Sequence, residues 1–521
     1  MSGVYPSDIP QGENDSALVG RKLTSISSNP LQFPLLFIFI VTAVRACGTV
    51  DSDVSWQLWI AERMHAGAHL YRDIIETNPP LWFWMAVPIE RIAALLHLRI
   101  DLVLIVAVGG LCALSLAATA PFLWDLARPR RTLFLSYAAM LLACMPWMHV
   151  GQREQLVLIG ALPYTALTAA RRTGRPVSSI LAACIGIGAA LGFALKHYFL
   201  LVPVFLELWL ITTCRDRWRP FRPETVAVVA VGFCYGVAIL LWGRDFLQIA
   251  IPLLHLAYGA TGAPTLLELF QARTVVGLLT LIFVAWQLVE AKEESSAVAI
   301  ALIISAGAFA GAYFIQAKGW AYHSIPLLGC SALALAAALA TDRPKPRAMA
   351  LAAPALLLLP FALSFEEIRR EPQPTADLLQ AVDGLRSGDS VGFVAADPSL
   401  GWTLTLQRNF RYASRYNGFW MLRAVVADEL QGQRHDHLTQ LGRTVVAETA
   451  LDFRCVLPRR IIVARPRESE GGFDILPFFY RDPQFSTLLA HYRRLERTSL
   501  DVYELADAPA PLPSRICRSG I

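Results

Sequence analysis

Leu81-Trp-Phe-Trp-Met-Ala-Val-Pro88-Ile-Glu90-Arg91-Ile-Ala-Ala-Leu-Leu-His-Leu98 is apolar and nearly long enough to cross a bilayer, and whether it crosses decides the fold. A transmembrane helix needs about 20 apolar residues. Counted as a span, this segment would reverse the side of everything that follows it. The next gap carries Arg128, Arg130 and Arg131, which would then lie outside, against the tendency of basic loops to stay in the cytoplasm. Pro88, Glu90 and Arg91 also interrupt the run. The segment therefore reads as an amphipathic helix lying at the outer interface.

On either side of it the chain is dominated by apolar runs. Of 521 residues, 55% are hydrophobic and 17% are charged, against about 25% charged in an ordinary globular chain. That balance excludes a disordered chain, a fibrous protein and most cytoplasmic enzymes. About eleven runs read as spans, at 33–50, 102–124, 132–149, 156–170, 177–195, 198–213, 225–243, 273–290, 297–315, 324–341 and 347–364. Basic gaps alternate with gaps of little net charge. Arg171, Arg172 and Arg175 fill one, Arg215, Arg217, Arg219 and Arg222 another, and Arg343, Lys345 and Arg347 a third. These are placed in the cytoplasm with the polar tail 1–32, and the first run is an uncleaved anchor. The gap around Glu290 to Glu294 falls inside by alternation alone. The other side then receives 51–99, 149–155, 196–197, 243–271 and 316–323, and the C-terminal part 365–521. That part is long enough for one small α/β domain, with strands expected at Ser390–Ala395 and Arg460–Ala464 and helices at Thr375–Leu385 and Ala424–Leu430. No internal repeat is found.

The net charge of +5 is spread between apolar runs and forms no stripe for nucleic acid. Of nine cysteines, seven lie in or beside apolar runs and read as small buried hydrophobes. None has zinc-like spacing. Cys455 and Cys517, in the polar C-terminal part, are open to pairing as a disulfide.

Polar residues gather at the outer rim. The first external loop holds Asp51, Asp53, Glu62, Asp73 and Glu76, with Asn78 before Pro79-Pro80. Asp53 begins an apolar-periodic stretch and can cap its first turn. Asp53, Gln57, Ile60 and Met64 share one helical face. Five acids beside a membrane exceed what capping requires. A carboxylate there can serve as general base for a hydroxyl within hydrogen-bond reach, and paired carboxylates can hold a divalent cation, although the spacing fixes no metal. Arg45 lies near the outer end of the first span, and Gly151-Gln-Arg153-Glu154, Lys196-His-Tyr and Gln316-Ala-Lys318-Gly-Trp320-Ala-Tyr322-His323 lie at other span ends. Charges at such depth usually face a wet cavity and suit a phosphate at the membrane boundary. Plainer readings compete: Lys196 as an interfacial snorkel, Arg153 and Glu154 as a mutual pair, and Trp320 and Tyr322 as belt aromatics.

Asp53 with the helix to Met64, Gly67, Tyr71-Arg-Asp73, Asn78-Pro-Pro-Leu81 and the later rim clusters together resemble the GT-C superfamily of membrane glycosyltransferases that use polyprenyl-phosphate sugar donors. The closest in look are the aminoarabinose transferases acting on lipid A, the protein O-mannosyltransferases and the lipopolysaccharide-core glycosyltransferases. The resemblance spans residues 33–364. It implies a multi-pass protein of the bacterial inner membrane, with interfacial helices in its first loop and its active site and C-terminal domain facing the periplasm. It implies an aspartate of the first loop, Asp53 with Asp51 as rival, activating an acceptor that is an envelope lipid, polysaccharide or protein. Lys196, Arg153 and Lys318 are the matching donor-phosphate residues. Glu154, Tyr322, His323, Asp73, Asn78 and Arg45 are further substrate-binding candidates. No cofactor is certain; a divalent cation is open. A lipid or sugar transporter would instead carry mid-span charges and paired half-repeats, and a scaffold would leave the rim clusters unexplained.

Overall fold

The computed structural model describes residues 29–261, 265–290, 297–341, 347–370, 375–465, 474–495, 500–510, 512 and 517. The tail through residue 28 and most of the gaps at Glu290 to Glu294 and Arg343 to Arg347 lie outside them. The chain begins with α1 (Gln32–Ala46), α2 (Ser52–His65), α3 (Leu81–Leu96), α4 (Ile100–Thr119) and α5 (Arg128–Ala143). It continues through α6 (Arg153–Arg172), α7 (Ser179–Ala194), α8 (Leu201–Thr213), α9 (Pro223–Trp242) and α10 (Ile251–Thr261). Then come α11 (Leu266–Leu269), α12 (Ala272–Glu290), α13 (Ala297–Gln316), α14 (Ile325–Leu339) and α15 (Arg347–Arg370).

A helix occupies each expected span, as α1, α4 to α9 and α12 to α15. Among the described residues, six stretches are long and apolar enough to cross a membrane by length and composition: Ile100–Phe122, Pro223–Trp242, Ala272–Val289, Ala297–Gln316, Ala321–Leu339 and Arg347–Arg369. The others are shorter or, like α6, carry charges at both ends. The disputed segment Leu81–Leu98 is helical as α3, started by Pro80 and stopped where His97 turns left-handed.

α6 and α14 form the middle of the bundle, buried along nearly their whole length. Helices pack in lipid by close approach of small residues rather than by hydrophobic force. A Cβ on Gly160 would come within 2.9 Å of the Gly188 backbone, and one on Gly192 within 3.1 Å of Val157, so these glycines let α6 and α7 touch backbone to backbone.

The C-terminal part is a small α/β region. It contains α16 (Ala376–Ala381), β1 (Ser390–Val394), α17 (Trp402–Arg408), β2 (Arg411–Tyr412), α18 (Leu422–Leu430) and α19 (Asp436–Val456). β3 (Arg460–Val463), α20 (Ile475–Phe479), α21 (Pro483–Leu489), β4 (Tyr492–Leu495) and β5 (Asp501–Leu505) follow. The sheet order is β2-β1-β3-β5-β4. β1 runs parallel to β2 and β3, and β5 antiparallel to β3 and β4. Both expected strands are present. The helix expected over Thr375–Leu385 shortens to α16 because Gly384, at φ 77, turns the chain just after it. Cys455 and Cys517 form a disulfide.

This region is seated on the first loop. Trp402 packs edge-on against Trp56 at 4.7 Å and Trp59 at 5.5 Å, and Tyr412 meets Trp59 at 5.8 Å. The Ile75 amide donates to the Arg415 carbonyl at 2.8 Å. Trp402 is fully buried. Trp402→Ala is expected to cost about 3–5 kcal/mol, the usual price of a large-to-small cavity at an aromatic. It should lower the thermal transition of the purified protein and open α17 to protease.

Candidate active site

The site begins where α1 ends and α2 starts. Asp51 has an extended backbone, and its Oδ1 accepts the Val54 N–H at 2.7 Å, so Asp51 is the N-cap of α2. The capping role expected of Asp53 thus falls to its neighbour, and the Asp53 carboxylate is left for other use. Its Oδ2 accepts from the Tyr322 hydroxyl at 3.2 Å and, weakly, from Gln152 Nε2 at 3.5 Å. Its Oδ1 takes no hydrogen bond among the described residues.

Gly151 turns the chain into α6. Its φ of 84 lies in the left-handed region, and its carbonyl is held by the Trp82 indole at 2.9 Å. That turn places Gln152, Arg153 and Glu154 at the start of α6, all buried. Lys196, at the break between α7 and α8, donates to Glu154 Oε1 at 2.6 Å, Gln316 Oε1 at 3.0 Å and His323 Nε2 at 3.0 Å. As acceptor from an ammonium, His323 Nε2 must be unprotonated, which leaves the proton on Nδ1. Tyr322 and His323 are neighbours on the short helical turn Ala321–Ser324, which joins the Asp53 side of the site to the Lys196 side.

The charges are unusually bare. Arg153 is 3% exposed, yet among the described residues its Nε and Nη1 have no hydrogen-bond partner, and the same holds for Glu154 Oε2, Gln152 Oε1 and His323 Nδ1. Each such buried orphan costs about 1–3 kcal/mol unless something fills it. Their gathering around one carboxylate and one ammonium describes a pocket built for a polar ligand.

Burial, then the Asp51 carboxylate alongside, push Asp53 up to about 6, against the pull of Arg153. Burial brings Lys196 down to about 8, with Glu154 opposing and Arg153 assisting. Lys318 is likewise lowered to about 8, by burial and then by Lys196.

Of the residues singled out by sequence, Asp51, Asp53, Arg153, Glu154, Lys196, Tyr322 and His323 come together. Lys318 stands beside them, its ammonium 2.9 Å from the centre of the Tyr258 ring, which stacks at 5.0 Å on Trp420 of the C-terminal region. Asp73 accepts the His69 N–H at 2.8 Å within a loop turn, and Asn78 donates to Glu76 at 2.8 Å. Arg45 lies over Trp147 at 4.8 Å and donates to the Thr49 carbonyl. Sequence reasoning missed His149, which bridges Asp51 and Glu367, and counted Glu76 only among the loop acids, where it proves to be the buried acceptor of the Trp56 indole at 2.7 Å. Among the described residues no group of three or more His, Cys, Asp and Glu is arranged to hold a metal ion.

No protein-family model and no curated protein sequence matches the chain. Solved structures do. ArnT from Cupriavidus metallidurans, bound to undecaprenyl phosphate, is 13% identical with a TM-score of 0.54, covering 96% of this chain and all of that one. The Archaeoglobus fulgidus oligosaccharyltransferase in its apo form is 11% identical with a TM-score of 0.42, covering 82% of this chain and 69% of that one. The same protein with Zn and sulfate has 11% identity and a TM-score of 0.39, with 84% and 68% covered. Over 96% of its length, this chain shares the fold of that ArnT.

Proposed function

We propose that the chain transfers a glycosyl group from a polyprenyl-phosphate-linked sugar to a cell-envelope acceptor, on the periplasmic face of a bacterial inner membrane. The observation that carries this is the half-open Asp53 carboxylate set beside the ammonium of Lys196 and the buried guanidinium of Arg153, whose Nε and Nη1 take no hydrogen bond among the described residues. The structurally similar ArnT was captured with undecaprenyl phosphate, a ligand of the class such a pocket suits. Read as eleven spans with an interfacial α3, the chain would carry this pocket and residues 365–521 on the outer side. The Cys455–Cys517 disulfide supports that side for the C-terminal region, since disulfides persist in oxidising compartments.

In the proposed reaction the lipid tail lies between helices and the donor phosphate faces Arg153 and Lys196. Asp53 takes the proton of an acceptor hydroxyl as the oxygen attacks the anomeric carbon. The bond from that carbon to the phosphate oxygen breaks, and the electron pair leaves on polyprenyl phosphate. Cations set where that charge develops favour the departure. Tyr322 orients the base through its hydrogen bond. Asp51, with both oxygens engaged, does not compete for the proton.

A pH dependence follows. The base must be ionised, so kcat/KM for the free protein should rise with pH through about 6. Lys196 must be charged, so it should fall again as pH passes about 8. A bell with those limbs, measured as sugar transferred against pH, is the expected profile. A flat profile from pH 5 to 9 would remove both assignments. In cells, mass analysis of envelope glycans and glycoproteins after deletion should show one sugar missing. The unaltered gene should restore it and an Asp53→Asn gene should not.

A further inference from the structure

We infer that Arg273, Glu367, His149 and Asp51 form a positioning chain that fixes the Asp53 carboxylate for its reaction, with His149 as the central link; the inference rests on the role proposed above for Asp53. His149 lies in the loop before α6, whose Met145 carbonyl also accepts the Ser364 hydroxyl of α15 at 2.7 Å. Its Nδ1 is 3.1 Å from Asp51 Oδ2 and its Nε2 is 2.8 Å from Glu367 Oε1. A ring with a carboxylate on each nitrogen donates from both, which is the imidazolium form. Burial works against that charge, but the two carboxylates win and hold His149 up to about 9. The other Glu367 oxygen pairs with Arg273 of α12. That guanidinium also reaches the Ser364 hydroxyl at 3.4 Å.

The consequence for Asp51 is complete use of its carboxylate. Oδ1 caps α2 and Oδ2 accepts from His149, with Gln152 Nε2 at 3.4 Å. The first turn of α2, which carries Asp53, is thereby tied to the outer end of α15 and the start of α12. The His149 ring also lies 5.2 Å from the Tyr322 ring, and the Tyr322 hydroxyl holds Asp53. Backbone and side chain of the base are each braced, one through Asp51 and one through Tyr322, and His149 touches both braces. His149 supplies the positive charge facing Asp51. Without it, two neighbouring carboxylates would repel across the turn. A misplacement of about 1 Å at a reacting group can cost about 100-fold in rate, so the chain acts on turnover, not on donor binding.

The test uses the full chain purified into lipid nanodiscs. The probe is lipid-linked sugar extracted from the native membrane, and turnover is read as free polyprenyl phosphate released. His149→Gln and Glu367→Gln should each lower kcat at least tenfold and leave KM for the donor within twofold, because Arg153 and Lys196 are untouched. Glu367→Asp, which keeps the charge, should recover part of the loss. The double variant should be no worse than His149→Gln alone, as expected of links in one chain. Turnover within twofold of the unaltered protein, or a loss confined to KM, would overturn the inference. If His149→Gln fails to accumulate, the Glu367→Gln and Glu367→Asp pair decides by the same criteria. Asp53→Asn runs in the same series. If it is inactive while His149→Gln is fully active, only the positioning chain falls. If Asp53→Asn turns over, the base assignment falls and the inference with it.

Discussion

Asp53→Asn should reduce transfer about 10²–10⁴-fold, the range for loss of a positioned general base, while the protein still accumulates in the membrane. The substitution keeps the shape and removes only the capacity to take a proton. Asp51 cannot replace it, because the Val54 amide and His149 occupy its two oxygens. The fold should tolerate the change. Among the described residues Asp53 neither caps α2 nor joins an ion pair, and its nearest partner, the Tyr322 hydroxyl, can donate to the Asn carbonyl equally well. Activity should therefore fall without a matching drop in thermal stability. Asp51→Ala should behave differently. It removes the cap and leaves His149 charged beside Glu367 alone, so stability should fall by about 0.5–2 kcal/mol for the cap alone, together with part of the activity.

Lys196→Ala should have the second-largest effect, for two separable reasons. The first is chemical: a cation facing the leaving phosphate is gone, and loss of one such charge-stabilising donor typically costs about 10²–10³ in rate. The second is structural. Glu154 is 0% exposed and, among the described residues, Lys196 at 2.6 Å is the cation at hydrogen-bond distance from it, so the variant strands a buried carboxylate. Breaking a buried pair in this way costs about 3–5 kcal/mol. The double variant Lys196→Ala with Glu154→Gln removes the stranded charge. It should regain most of the stability and none of the turnover. Recovery of turnover in the double variant would mean that Lys196 serves only to neutralise Glu154.

Much of this arrangement was legible in the sequence because it is carried by local pattern. Apolar runs separated by arginine clusters give helices and their alternation, and a helix does stand at each expected span. The same alternation gathers Asp53, Arg153, Lys196 and Tyr322 on one rim although they are far apart in the chain. The structure brings Asp53, Lys196 and Tyr322 into one pocket with Arg153 at its edge. The capping assignment failed by two residues because Asp51 and Asp53 are equally good caps by type. Only the backbone, extended at Asp51 and already helical at Asp53, distinguishes them. His149 was passed over because nothing near it in sequence shows its partners, which lie 98 and 218 residues away. Trp402 likewise gave no local hint that it would insert beside Trp56 and Trp59. α19 was readable and went unread: Leu438, Val445, Val446 and Phe453 recur at helical spacing and all are buried.

The most direct test of the central claim is the choice of donor by the purified chain. With an envelope extract as acceptor, lipid-linked sugar and soluble nucleotide-sugar are supplied in parallel, and sugar transferred is weighed against polyprenyl phosphate set free. Transfer from the lipid-linked donor alone, one polyprenyl phosphate released per sugar moved, and neither product from Asp53→Asn is the expected result. Transfer from the nucleotide-sugar, or undiminished release by Asp53→Asn, would contradict it.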